Sequence, residues 1–253
     1  MPPHPYDSFL PSLTDIFVLR WREAVQTLAR FHRVDPKSVG LERFGKWAGY
    51  YERQIATLSG VSHAQAQVKD VETKKAVGEL PHVSEVLNFF AQKSTQPKDR
   101  GTLVHGDYKI DNLVFHKTEP KVIGILDWEM ATVGHPLSDF CNLTSPYYLE
   151  GPGHTPAMFQ QPDRWPGLPT REDCVRWYAE VAGWSPTAEL SWGDAFFGFR
   201  ISVIVQGIAA RNALRQASSA AAGEYAKLMV PIALQTWKQV QQVQEQARVN
   251  GKL

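Results

Sequence analysis

A polar, glycine-centred loop set between short apolar runs, residues 103–127 (LVHGDYKIDNLVFHKTEPKVIGILD), constrains the middle of this chain more than any other stretch. Leu103-Val104 begin as a strand, and His105-Gly106-Asp107 interrupts them with groups poorly suited to a strand interior. Asn112 follows five residues after Asp107, and Leu113-Val114-Phe115 resumes an extended apolar run. Lys117-Thr118-Glu119-Pro120 is a proline-punctuated turn. Residues 122–126 form a second strand pattern with Asp127 at its exit. A hairpin of this length folds the chain back, so Asp127 is expected close to Asp107 and Asn112. Two carboxylates and one amide then converge at one end of a small ribbon. Oxygen ligands of this kind suit Mg²⁺, which takes few protein oxygens and completes its octahedron with water and phosphate.

The remainder reads as mostly helical. Residues 1–13 carry four prolines and form an irregular arm, and residues 14–253 are one domain. Thr14-Asp15 offers an N-cap for a helix over 16–32, with Leu19, Ala24, Leu28 and Phe31 at helical spacing. A second helix over 44–58 places Trp47, Tyr51, Gln54, Ile55 and Leu58 on one face. Its other face, with Lys46, Tyr50, Arg53 and Thr57, is either solvated or the wall of a substrate cleft. Further helices are expected over 84–93, just after Asp139, from Thr170 through Val181, over 190–214 and over 225–249. Thr170 and Asp173 have capping-box spacing. Residues 150–169 form a proline-rich loop bearing Trp165, long enough for a lid or specificity segment. The fold class is therefore α+β, mostly α, with one small catalytic β-ribbon.

Composition narrows the function classes. The 253 residues, 43% hydrophobic, suffice for an ordinary core. A net charge of +1 gives no electrostatic case for nucleic acid or an anionic membrane as partner. Cys141 and Cys174 lack metal-site spacing and read as free thiols. The N-terminus has no signal-peptide pattern, and the most apolar segment, 195–210, contains Arg200 and Gln206. A cytoplasmic location is expected; the terminal Gly251-Lys252-Leu253 weakly matches a peroxisomal address.

The spacing H-G-D-x-x-x-x-N over residues 105–112, followed by Asp127-Trp128-Glu129, resembles the catalytic loop and metal motif of protein kinases, with glycine in place of arginine. That variant resembles the aminoglycoside phosphotransferase family. Gly134-His135-Pro136-Leu137-Ser138-Asp139 is similar to its G-[DH]-P-x-x-D segment, and Leu28-Ala29-Arg30-Phe31-His32 to the L-A-x-L-H that closes its first large-lobe helix. The likeness runs from about residue 16 to the end and is nearest to the phosphotransferase domain found fused to acyl-CoA dehydrogenases. It implies a protein-kinase-like C-terminal lobe with ATP as co-substrate and Mg²⁺ as cofactor. Asp107 would orient the acceptor hydroxyl, and Asn112 and Asp127 would hold the metal. Lys109 is either a γ-phosphate contact or a solvated loop lysine. His105 and Asp139 would support the loop, and Tyr50, Arg53 and Trp128 are candidates for the cleft. The fusion-type likeness points to a small hydroxylated acceptor such as a hydroxyacyl-CoA or hydroxy acid.

One departure matters. Kinases place a β-rich lobe before the helical one, bearing a glycine-rich loop and a strand lysine. Here the first glycine is Gly40 and the first lysine Lys37, both after the first helix. The N-terminal β-lobe is therefore expected to be missing, leaving an apolar edge near Trp128 to be covered by the 1–13 arm, a homodimer partner or another protein. The competing readings are a non-catalytic, kinase-like binding module and a metal-dependent hydrolase working through Asp107 and Asp127.

Overall fold

A computed structural model describes residues 13–149, 159 and 168–249. The expectations for the 1–12 part of the arm, for Trp165 and most of the 150–169 loop, and for Gly251-Lys252-Leu253 fall outside them. The helices are α1 (Leu13–His32), α2 (Tyr50–Ala66), α3 (Val83–Phe90), α4 (Leu137–Leu143), α5 (Arg171–Ala182), α6 (Leu190–Ala213), α7 (Ala222–Ala226) and α8 (Met229–Val249). The strands are β1 (Thr102–Val104), β2 (Leu113–Phe115), β3 (Val122–Ile125) and β4 (Thr132–Gly134).

Two apolar clusters straddle the polar loop. In the first, α1 turns Trp21, Ala24, Val25, Leu28 and Ala29 towards Cys174, Trp177 and Tyr178 of α5, and Tyr108 of the loop joins them. These residues recur at three- and four-residue intervals, so each helix presents one continuous apolar stripe. In the second cluster, α2 and α3 meet α6 and α8 through Tyr51, Val86, Phe89, Phe90, Trp192, Phe196, Phe199 and Val240. Between them α4 packs Leu137 and Cys141 against Phe197 of α6. Helix α6 lies in a 27-residue stretch long and apolar enough to cross a membrane, but 72% of its most apolar window is buried inside this domain. Its burial against α2, α4 and α8 accounts for that hydropathy.

The expected hairpin is present, with β2 antiparallel to β3 and Leu113 opposite Ile125. A second ribbon was not anticipated. Thr132-Val133-Gly134 pairs antiparallel with β1, Val104 opposite Thr132, giving two two-stranded sheets rather than one. The second helix is also corrected: it runs over Tyr50–Ala66, not 44–58. Gly49, at φ 68° and ψ 35°, takes the left-handed conformation that separates the preceding turns from the helix. The shift changes the faces, and Tyr50 enters the core at 7% exposure. The closing segment divides into α7 and α8, with Pro231 in the first turn of α8, where a missing N–H costs nothing.

Candidate active site

Between β1 and β2 the chain makes a loop whose backbone is fixed by side chains from three helices. Asp139, fully buried on α4, accepts hydrogen bonds from His105 N at 2.6 Å and Gly106 N at 2.8 Å. His32, at the end of α1, places Nε2 3.3 Å from the same carboxylate and Nδ1 2.7 Å from the Tyr178 hydroxyl. The two sequence segments ending at His32 and Asp139 therefore meet behind the loop. His105 is buried too: its Nδ1 accepts from Asp107 N at 3.2 Å, and its Nε2 donates to Leu126 O at 2.8 Å. That pair of bonds assigns the Nε2–H tautomer. Tyr108 anchors the other side by donating its hydroxyl to Ala24 O at 2.8 Å.

Gly106 has a steric reason to be glycine. Its φ is +85°, and an added Cβ would lie 2.5 Å from Met130 O and 2.8 Å from Met130 Cβ. The close approach of residues 106 and 130 brings the loop against the turn that follows Asp127.

The Asp107 carboxylate is held from two sides. Oδ2 accepts from Lys109 Nζ at 2.9 Å and from Asn112 Nδ2 at 3.0 Å; Oδ1 accepts from Asn142 Nδ2 at 3.3 Å. Partial burial pulls its pKa upward, but the Lys109 bond and then the Asn142 and Asn112 bonds outweigh it. The net shift is downward, and the group is ionised at neutral pH. Asn112 uses its second amide hydrogen on Asp107 O at 2.8 Å, and its Oδ1 accepts no hydrogen bond among the described residues.

Asp127 follows Leu126, whose N–H donates to Asn112 O at 2.8 Å and whose carbonyl receives the His105 bond. The hairpin thus brings the Asp127 backbone beside the loop. Asp127 sits in the left-handed region at φ 61°, exposed, and its carboxylate caps nothing. Among the described residues the Asn112 amide oxygen and the Asp127 carboxylate have no hydrogen-bond partner, and as hard oxygen ligands from one end of the ribbon they fit Mg²⁺. Among the described residues no cluster of three His, Cys, Asp or Glu side chains forms a metal site, so water and phosphate would fill the remaining positions.

The three cleft candidates separate. Tyr50 is packed under Gly134, where an added Cβ would stand 2.6 Å from its ring, so it does not line a cleft. Arg53 donates to the carbonyls of Ala48 and Lys46 and ties down the turn before α2. Trp128 remains at the site's edge, 45% exposed, its ring against His105 at 4.8 Å and Phe31 at 5.3 Å between centroids. The cavity of about 400 Å³ lined by Lys98, Glu189, Trp192 and Gln246 includes none of the catalytic-loop residues and is not this site.

Two contacts were not foreseen. Asn142 lies three residues after Asp139 on α4, one helical turn along the same face, and that period was the available signal. Arg200 of α6 donates to Gly106 O at 2.6 Å; its signal was a lone charge within an apolar helix.

The sequence profile described as the phosphotransferase enzyme family matches residues 18–174, which contain this whole loop and all its braces except Tyr178 and Arg200. The chain belongs to that family. Among related proteins, this family member is 34% identical over 235 residues to acyl-CoA dehydrogenase family member 10 of Mus musculus, covering 90% of this chain and 21% of that protein. It is 32% identical over 217 residues to acyl-CoA dehydrogenase family member 11 of Gallus gallus, covering 83% and 26%. The chain thus spans about a quarter of the length of these relatives. Among solved structures, one assigned to the aminoglycoside phosphotransferases, from Ralstonia eutropha JMP134, superposes with a TM-score of 0.76 at 29% identity. That match covers 92% of this chain and 68% of the other, which shares the kinase-like fold.

Proposed function

We propose that this domain forms the catalytic-loop half of an ATP- and Mg²⁺-dependent kinase that phosphorylates a hydroxyl of a small molecule. The observation that carries the reading is the carboxylate of Asp107, ionised and held by Lys109, Asn112 and Asn142, at the end of the ribbon where Leu126 N bonds Asn112 O and the chain exits to Asp127. Phosphoryl transfer passes through a loose transition state, so alignment and charge neutralisation supply most of the acceleration. Asp107 accepts a hydrogen bond from the acceptor hydroxyl and sets its line of attack. Because the hydroxyl proton leaves late, a low pKa is no handicap. Asn112 and Asp127 would hold Mg²⁺, which would supply positive charge against the phosphate oxygens. Lys109, already at Asp107, can turn its ammonium towards the transferring group. Relatives that carry acyl-CoA dehydrogenase names support a hydroxyacyl-CoA or hydroxy acid as acceptor.

The described residues include no glycine-rich loop or strand lysine over the phosphates, so MgATP binding by these elements alone is weak. The test is incubation with MgATP and a panel of hydroxylated acids and thioesters, with products followed by mass spectrometry. A phosphorylated product that disappears in Asp107→Asn supports the reading. Release of inorganic phosphate alone, with no acceptor modified, favours a metal-dependent hydrolase.

A second reading, a binding module, draws on one observation. Val114, Ile123, Leu126, Trp128 and Met130 are all exposed on or beside the β2–β3 ribbon. An apolar edge of that extent marks an interaction surface, for a second copy or another protein. Its signature is a concentration-dependent mass in light scattering with no phosphotransfer.

A further inference from the structure

The cavity of about 400 Å³ that excludes the catalytic loop is walled by four segments. They are the stretch 94–98 leading to β1, the turn Thr187–Glu189 before α6, the first residues of α6, and the last two turns of α8. Its volume is that of an ordinary small-molecule site. Two charges of opposite sign stand in the wall, Glu189 and Lys98.

Glu189 is the more informative of them. Its Oε1 accepts from Lys98 N at 3.3 Å, while Oε2 is buried and accepts from nothing among the described residues. The one basic side chain within ion-pair distance, among those residues, is His135, with Nε2 at 3.9 Å. That ring is no counter-ion. Burial brings its pKa down to about 4, so it carries no charge at neutral pH, and its Nε2–H already donates to Lys98 O at 3.1 Å. A carboxylate only 18% exposed, with no cation beside it, is costly. The Lys98 ammonium, on an exposed side chain, is within ion-pair distance of no carboxylate among the described residues, that of Glu189 included. The two charges therefore line one cavity without neutralising each other. Trp192, 3% exposed, adds a third unmatched group. Its ring packs on Tyr51, Phe90 and Phe196, and its Nε1–H is buried with no acceptor among the described residues.

These charges decide what such a space accepts. A simple cation suits Glu189 and is repelled by Lys98; a simple anion meets the reverse. A zwitterion satisfies both through charge-assisted hydrogen bonds. We propose that this cavity is a second ligand site, apart from the catalytic loop, that takes a small zwitterion of the amino-acid type, with Glu189 binding its ammonium group and Lys98 its carboxylate. The site adjoins the support of the loop rather than the loop itself. His135, beside Glu189, accepts from Leu137 N at the start of α4, and α4 carries Asp139 and Asn142.

NMR titration of the isotope-labelled full chain tests the site with no turnover, so its outcome does not depend on phosphotransfer. The probes are glycine, 4-aminobutyrate and 6-aminohexanoate, which hold the two charges at increasing separations, with butylamine and butyrate as single-charge controls. At least one zwitterion should shift, saturably, the amides of residues 98, 189 and 246 and the indole N–H of Trp192. It should bind about tenfold or more tightly than either control, a charge-assisted pair being worth at least that factor. The signals of residues 107, 112 and 127 should stay in place, and Asp107→Asn should bind the probe as the wild type does. Glu189→Gln and Lys98→Met should each lower the affinity about tenfold, since each removes one charged pair. If Glu189→Gln does not fold, Lys98→Met, at an exposed position, carries the test. No binding by any of the three zwitterions, equal binding of butylamine or butyrate, affinity unchanged in Lys98→Met, or shifts centred on residues 107 and 112 overturns the assignment.

Discussion

At the scale of single residues, the site depends on a few buried groups that shape one loop. Asp139 satisfies two buried backbone N–H groups at once. In Asp139→Ala both lose their acceptor, at roughly 1–3 kcal/mol for each buried donor left unpaired. A drop of several kcal/mol in a urea unfolding experiment is expected, with a smaller one for Asp139→Asn, which keeps one acceptor oxygen. Gly106→Ala meets both a positive φ and the Met130 carbonyl. Its cost should be about 1–3 kcal/mol, with the chemical shifts of residues 105–108 and 130 moving together. The motifs made this level legible, since Asp107, Asn112 and Asp139 each lie where their spacing suggested contact. Tyr50 was not legible in that way. A tyrosine on a helix face signals core and cleft equally, and the left-handed Gly49 decided between them.

At the scale of elements, junctions carry the information. Thr170 Oγ1 accepts from Asp173 N while Asp173 Oδ2 accepts from Thr170 N, both at 3.1 Å, and this reciprocal cap opens α5 as its sequence suggested. Thr170→Ala should lower the unfolding free energy by about 1 kcal/mol in a thermal or urea melt. The β4–α4 junction rests on His135, whose Nδ1 accepts from Leu137 N at 3.2 Å and whose Nε2 donates to Lys98 O at 3.1 Å. Burial disfavours its cation and outweighs the Lys98 bond, bringing its pKa down to about 4. A histidine held below its unfolded pKa of about 6.5 contributes stability that is complete above that value and is lost as pH falls towards 4. Over that window the loss should approach roughly 3 kcal/mol, and His135→Asn should flatten this part of the stability–pH curve. Strand β4 escaped the sequence because Thr132-Val133-Gly134 is too short and glycine-bearing to show a strand period. Pairing with β1, not local preference, makes it a strand.

At the scale of the whole molecule, two apolar clusters brace one polar loop, and the helical periods that build them were readable from the sequence. The faces that meet the loop were less so: Asn142 and Arg200 act through contacts 35 and 94 residues away in the chain. The central claim is spatial, that Asn112 and Asp127 make a divalent-metal site beside Asp107. Mn²⁺, added in trace amounts to isotope-labelled chain, reports position directly by broadening the amide signals nearest to it. The account predicts that residues 107, 112 and 126–128 broaden first and that Asp127→Ala abolishes the effect. Broadening centred elsewhere, for instance on the Asp70 and Glu72 carboxylates, or unchanged in Asp127→Ala, would contradict it.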